Sequence, residues 1–83
     1  MESFLDTPSM ESYLYVVRNR VREMRTEAGM TQADLGDALG VSRQTINSIE
    51  AGRYLPSLPL ALKIGRLFGS PVHEIFEMDE EDV

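Results

Sequence analysis

At 83 residues with no cysteine and a single histidine, His73, the chain is one small domain that buries only about 60–65% of its unfolded surface, so dimerisation would help it. That composition excludes disulfides, thiolate zinc sites, a cysteine nucleophile and a histidine metal cluster, and no cofactor is expected. No apolar run approaches the ~18–20 residues that span a bilayer, and the acidic start MESFLDTPSM is unlike a signal peptide, so a soluble, cytoplasmic chain without membrane contact is expected.

The formal charge of −6 is unevenly placed. Residues 1–12 hold Glu2, Asp6 and Glu11, and residues 77–83 hold Glu77, Asp79, Glu80, Glu81 and Asp82, with no Lys or Arg in either stretch. Setting those eight acids aside leaves six against eight basic residues, so residues 13–76 carry +2. A mildly basic middle is compatible with nucleic acid, although the electrostatic footprint is small.

In chain order, residues 1–15 read as an N-terminal extension, and Tyr13-Leu14-Tyr15-Val16-Val17 is its ambiguous end. The mix of aromatic and β-branched residues fits a strand and also fits the first turns of a helix, and both readings stay open. Over 16–28, Val17, Val21, Met24 and Ala28 recur at helical spacing, with Gly29 as the stop. Thr31 opens a second helix through a capping box with Asp34, with Leu35, Ala38 and Leu39 as its inner face and Gly40 at its end. Ser42 caps a third helix that buries Ile46 and Ile49 and ends at Ala51-Gly52. Two helices joined by so short a turn have helix-turn-helix spacing.

Ser57 caps a fourth helix with Pro59 in its first turn and a wide apolar stripe of Leu58, Leu60, Ala61, Leu62, Ile64, Gly65, Leu67 and Phe68. A short fifth helix follows, capped by Ser70, with Val72, Ile75 and Phe76 facing inward. The last stretch, EMDEEDV, reads as a solvated, frayed acidic tail over 77–83; the sharper alternative is that it trims nonspecific DNA binding by repulsion or docks a basic partner.

The run from Gln32 to Ala51, followed by Gly52-Arg53 and by the P-S-L-x-L-A-L-K-I segment, resembles the Cro and phage-repressor-type, or XRE, helix-turn-helix family. Gly36 where the helices cross, Gly40 in the turn and apolar residues at 35, 39, 41, 46 and 49 coincide with its pattern. The resemblance covers residues 18–76, roughly seven-tenths of the chain. It implies an all-α, five-helix lambda-repressor-like domain over 16–76 and a DNA-binding transcriptional regulator, a repressor by expectation, that reads the major groove with helix 43–51. The residues at the start of that helix would read bases: Arg43 and Gln44, with Asn47 and Ser48 one turn on. Arg pairs with guanine O6 and N7, and Gln or Asn with adenine N6 and N7, each worth about 1–3 kcal/mol of discrimination. Phosphate positioning would fall to Gln32, Ser42, Thr45 and Arg53. Arg25 and Glu50 occupy the places of a structural ion pair. Gly65 departs from the family's frequent Ala, so the fourth helix is expected to be looser or more closely packed there.

An ordinary solvated helix face is the plain alternative for those polar residues, and a surface or rim position is the plain reading of His73. Regulators of this type bind pseudo-palindromic double-stranded operators as homodimers whose reading helices sit about 34 Å apart. Tyr13, Leu14, Tyr15, Tyr54, Leu55 and Leu60 are candidates for either core packing or a two-fold interface. No nucleophile has a base beside it and no phosphate-cradling loop is present, so the chain is not read as an enzyme. The competing function is an antitoxin or bridging module that contacts a toxin or another transcription factor through the same fold.

Overall fold

The computed structural model describes residues 15–80. A strand, β1 (Tyr15–Asn19), leads into α1 (Val21–Glu27), α2 (Gln32–Leu39), α3 (Arg43–Glu50), α4 (Leu58–Phe68) and α5 (Val72–Ile75), and the described chain closes with β2 (Phe76–Glu80). The five helices carry the fold, and β1 and β2 pair antiparallel beside them, with Val17 opposite Met78, Arg18 opposite Glu77 and Asn19 opposite Phe76.

That pairing makes the described part of the ambiguous segment, residues 15–17, a strand and shortens the first helix, which begins at Val21 rather than Val16. It also corrects the expectation of a frayed tail from residue 77, since residues 77–80 belong to β2. The physical reason is the partner strand. Neither segment can satisfy its backbone alone, but side by side they exchange ladder hydrogen bonds, and the Arg20 N–H extends the junction by donating to the Ile75 carbonyl at 3.0 Å. Residues 1–14 and 81–83, which include Tyr13, Leu14 and the end of the acidic stretch, lie outside the described residues.

The core is one cluster of Val21, Leu35, Leu39, Ile46, Ile49, Leu60, Ile64 and Ile75, against which Met24, Met30, Val41, Phe68 and Phe76 pack. Every helix contributes, so the angle between α2 and α3 is held from beneath by α4 and α5 as well as by their own contact. Local signals set the helix ends. Thr31 and Asp34 form the reciprocal capping box, Ser42 and Ser57 cap α3 and α4, and Gly40 and Gly69 close α2 and α4 in the left-handed conformation. Lys63 also reaches back from α4 to the Leu39 carbonyl at 3.2 Å, satisfying one of the last acceptors of α2.

The fifth helix is capped differently from expectation. Pro71, not Ser70, stands at its N-cap without a side-chain bond, because the Ser70 N–H is already committed to the Gly65 carbonyl at 2.9 Å, closing α4. Some apolar positions that periodicity assigned to the inside also lie outside: Ala28 and Ala38 are exposed, as are Leu58, Leu62 and Leu67. The stripe on α4 is wider than the surface that four other short helices can cover.

Two glycines permit the close approaches. A Cβ on Gly36 would stand 2.6 Å from the Val41 carbonyl oxygen, and one on Gly65 would stand 2.7 Å from that of Ser70. The departure at Gly65 therefore goes with tight packing rather than a loose helix. Gly65→Val is expected to cost about 1–3 kcal/mol through overpacking, read as a lowered midpoint in chemical denaturation; an unchanged midpoint would mean that the α4–α5 turn yields freely.

Candidate nucleic-acid interface

The candidate site is the outer face of α3. Ile46 and Ile49 are fully buried on the inner side, and that anchoring leaves Arg43 and Gln44 exposed and Asn47 and Ser48 half-buried along the edges. A helix whose one face is locked into the core presents its opposite face at a fixed height and angle, which is the geometric need of groove insertion.

The N-terminus of α3 is built by hydroxyls. Ser42 Oγ accepts the Thr45 N–H at 3.1 Å and lies 3.0 Å from Thr45 Oγ1. Ser42, Gln44, Thr45 and Ser48 line a shallow open groove along the helix, and Tyr54 closes it from the following loop. Sequence reasoning considered Tyr54 only for the core or a dimer contact. Its place on the outer face of α3 follows from how the loop returns along that helix, for which periodicity contains no signal. Arg53 is exposed just beyond the helix, where its backbone N–H bonds the Ser48 carbonyl at 3.0 Å.

Beside this face stands a charged and amide cluster. Arg25, from α1, grips Glu50, at the end of α3, with Nε 2.6 Å from Oε2 and Nη2 3.2 Å from Oε1, and its Nη1 donates to the Met30 carbonyl at 2.8 Å. Arg22 approaches Glu50 Oε1 from the solvent side at 3.5 Å. Gln32 Nε2 donates to Glu50 Oε1 at 3.0 Å and to Asn47 Oδ1 at 3.3 Å. The Glu50 side chain has no exposed surface, and that of Arg25 is 12% exposed. Burial pushes the Glu50 carboxyl upward, but the hydrogen bonds from Arg25 and Gln32 outweigh it and hold the group below the ordinary carboxylate value. Asp34 is also lowered, by the Thr31 backbone N–H and then by the Thr31 hydroxyl.

These distances bear on the predicted site residues. Arg43, Gln44, Asn47 and Ser48 share α3, with Ser42 and Thr45 at its start and Arg53 past its end. Gln32 stands across from them at the first position of α2, and both protons of its side-chain amide are spent inside the protein. Asn19 is a positioning residue that sequence reasoning missed: its Oδ1 accepts the Val21 N–H at 3.1 Å and its Nδ2 donates to the Ile49 carbonyl at 2.9 Å. It thereby ties the β1–α1 junction to the C-terminal end of α3. The acidic strand β2 is paired with that same β1, so the two-stranded sheet is anchored at the end of α3 remote from Arg43 and Gln44. His73 is exposed on α5.

A helix-turn-helix whose second helix exposes planar, hydrogen-bonding side chains defines a nucleic-acid-binding class of fold. The helix-turn-helix family model matches residues 21–75. An uncharacterized HTH-type transcriptional regulator of Archaeoglobus fulgidus is 45% identical over 67 residues, which span 81% of this chain and 96% of the relative. The YgzD regulator of Bacillus subtilis is 44% identical over 66 residues, covering 80% of this chain and all of that protein. Among solved structures, the restriction-modification controller protein C.AhdI of Aeromonas hydrophila superposes with a TM-score of 0.60 at 31% identity, covering 66% of this chain and 80% of that one. The chain belongs to the helix-turn-helix family of transcriptional regulators.

Proposed function

We propose that the chain is a sequence-specific regulator that binds a double-stranded operator as a homodimer and represses transcription by occupying it. The observation that supports this reading is the exposure of Arg43 and Gln44 on a helix whose inner face is locked by Ile46 and Ile49. Arg43 and Gln44 are the base readers, with Asn47 and Ser48 one turn on. Ser42, Thr45 and Arg53 hold phosphates through their hydroxyls and guanidinium. Gln32 contributes its backbone N–H, which lies in the first turn of α2 where no intrahelical acceptor exists. The chain acts by binding rather than by catalysis, and in the cytoplasm; among the described residues no helix is long and apolar enough to cross a membrane.

The test is binding of the purified protein to the DNA upstream of its own coding region, against a scrambled duplex, at two salt concentrations. Sequence-dependent binding that weakens steeply with salt is the expected result, because phosphate neutralisation releases counterions. Equal and weak binding to both duplexes would transfer the interface to a protein partner, as in an antitoxin or bridging module.

The dimer contact falls on the exposed apolar residues before and within α4: Leu55, Leu58 at 67% exposure and, one turn on, Leu62 at 54%. A single exposed leucine is ordinary, but three close in sequence make an interaction surface on so small a domain. Leu58→Glu combined with Leu62→Glu is expected to yield a monomer in sedimentation equilibrium and to weaken operator binding at least tenfold, the order of magnitude that loss of bivalency brings. An unchanged dimer would place the contact elsewhere.

A further inference from the structure

A carboxylate can only accept hydrogen bonds, and this orients two amides in sequence. Because Glu50 Oε1 cannot donate, Gln32 must turn Nε2, not its carbonyl oxygen, toward it, at 3.0 Å. One proton of that nitrogen remains, and it points to Asn47 at 3.3 Å. Asn47 must therefore offer Oδ1; the reversed amide would set two NH2 groups against each other. The oxygen end of Asn47 is thus held at the first turn of α2, and the end left for a partner is Nδ2, which has two donors and no acceptor.

We infer that this relay, from Arg25 through Glu50 and Gln32 to Asn47, makes Asn47 a donor-only reader of the operator. It addresses acceptors on a base edge, best the adjacent O6 and N7 of guanine, in place of the paired donor-and-acceptor contact that an unrestrained asparagine makes with adenine, where N7 alone would accept and the N6 amino group would go unpaired. The inference rests on the operator-reading function proposed above and adds to it a specificity rule and a positioning role for Gln32. It also links the base of the reading helix to its face, since the buried carboxylate that joins α1 to α3 sets the polarity of a side chain aimed at DNA.

The experiment is a selection from randomised duplexes with the wild-type protein, followed by binding measurements on single-base variants of the selected operator. Proteins compared are wild type, Asn47→Ala, Asn47→Asp and Gln32→Met, each checked for folding by its thermal melt. One half-site position is expected to lose its preference in Asn47→Ala, and at that position the wild type is expected to favour guanine over adenine by about fivefold or more. Asn47→Asp keeps the oxygen that Gln32 holds but replaces the donor, so its preference should move to cytosine, whose N4 donates. Gln32→Met should relax discrimination against adenine at that position severalfold and leave the positions read by Arg43 and Gln44 unchanged. The inference is overturned if the wild type prefers adenine there, if Gln32→Met leaves the profile intact, or if Asn47→Ala weakens all duplexes equally, which marks a phosphate contact. In those cases the other positions still show preference and the proposed function survives. A wild type that selects no sequence at all overturns both.

Discussion

Glu50→Ala is expected to remove about 3–5 kcal/mol of folding stability, because it leaves the guanidinium of Arg25 in a largely buried position without its counter-charge. A domain of this size has a total of only about 4–12 kcal/mol, so the variant should lose a large share of its stability. Arg25, Gln32 and Arg22 would all lose their acceptor at once, which is why the effect should exceed that of cutting an exposed pair such as Arg20 with Glu23. Glu50→Gln retains one acceptor oxygen and should cost less. Urea denaturation of the three proteins side by side decides the matter, and a loss under about 1 kcal/mol in Glu50→Ala would rank the pair with surface salt bridges.

The same carboxylate gives the pH dependence its sign. Glu50 is held below its ordinary value in the folded chain, so the folded state binds fewer protons than the unfolded one. The stability it contributes is complete above the ordinary glutamate pKa of about 4.3 and is lost as pH falls through the lower folded value. Asp34 acts with the same sign from a surface position. Stability should therefore fall as the pH drops below about 4.3, and the fall should be shallower in Glu50→Gln. Parallel pH profiles for the two proteins would remove Glu50 from the acid transition.

Arg43→Ala is expected to cost about 1–3 kcal/mol of base discrimination per half-site, thus about 2–6 kcal/mol on a two-fold operator. Arg43 is exposed at the first position of α3 and rests on Ser42, the cap that fixes the start of that helix, so removing its side chain should leave the fold intact. Preference should collapse at one symmetric pair of positions, with the rest of the operator read as before and the salt slope nearly unchanged. A uniform loss across all duplexes, with a slope reduced by about two, one for each half-site, would mean that Arg43 holds a phosphate.

The domain's helices were legible because their signals are local. The Thr31–Asp34 box, the caps at Ser42 and Ser57, and Gly40 and Gly69 lie within a few residues of the bonds they make. Ile46 and Ile49 likewise declare the inner face of α3 by spacing alone, and with that face fixed, Arg43 and Gln44 had to lie outside. The pairing of β1 with β2 was not legible in the same way, since strand and helix remain equally open for residues 13–17, and Arg18 and Asn19 read as helix, until a segment some sixty residues later supplies the hydrogen bonds. Nor could periodicity tell which leucines of α4 are covered, because that depends on how much surface the other helices present. The sequence by itself thus determined the helix-turn-helix and the residue types on its outer helix. Tertiary structure alone decided that Gln32 spends its amide on Glu50 and Asn47, that Tyr54 lies along the outer face of α3, and that Asn19 clamps the far end of α3. The physical reason is range: caps and stripes act within one or two turns of the chain, whereas the direction of a hydrogen-bonding side chain is set by partners that only folding brings within 3 Å.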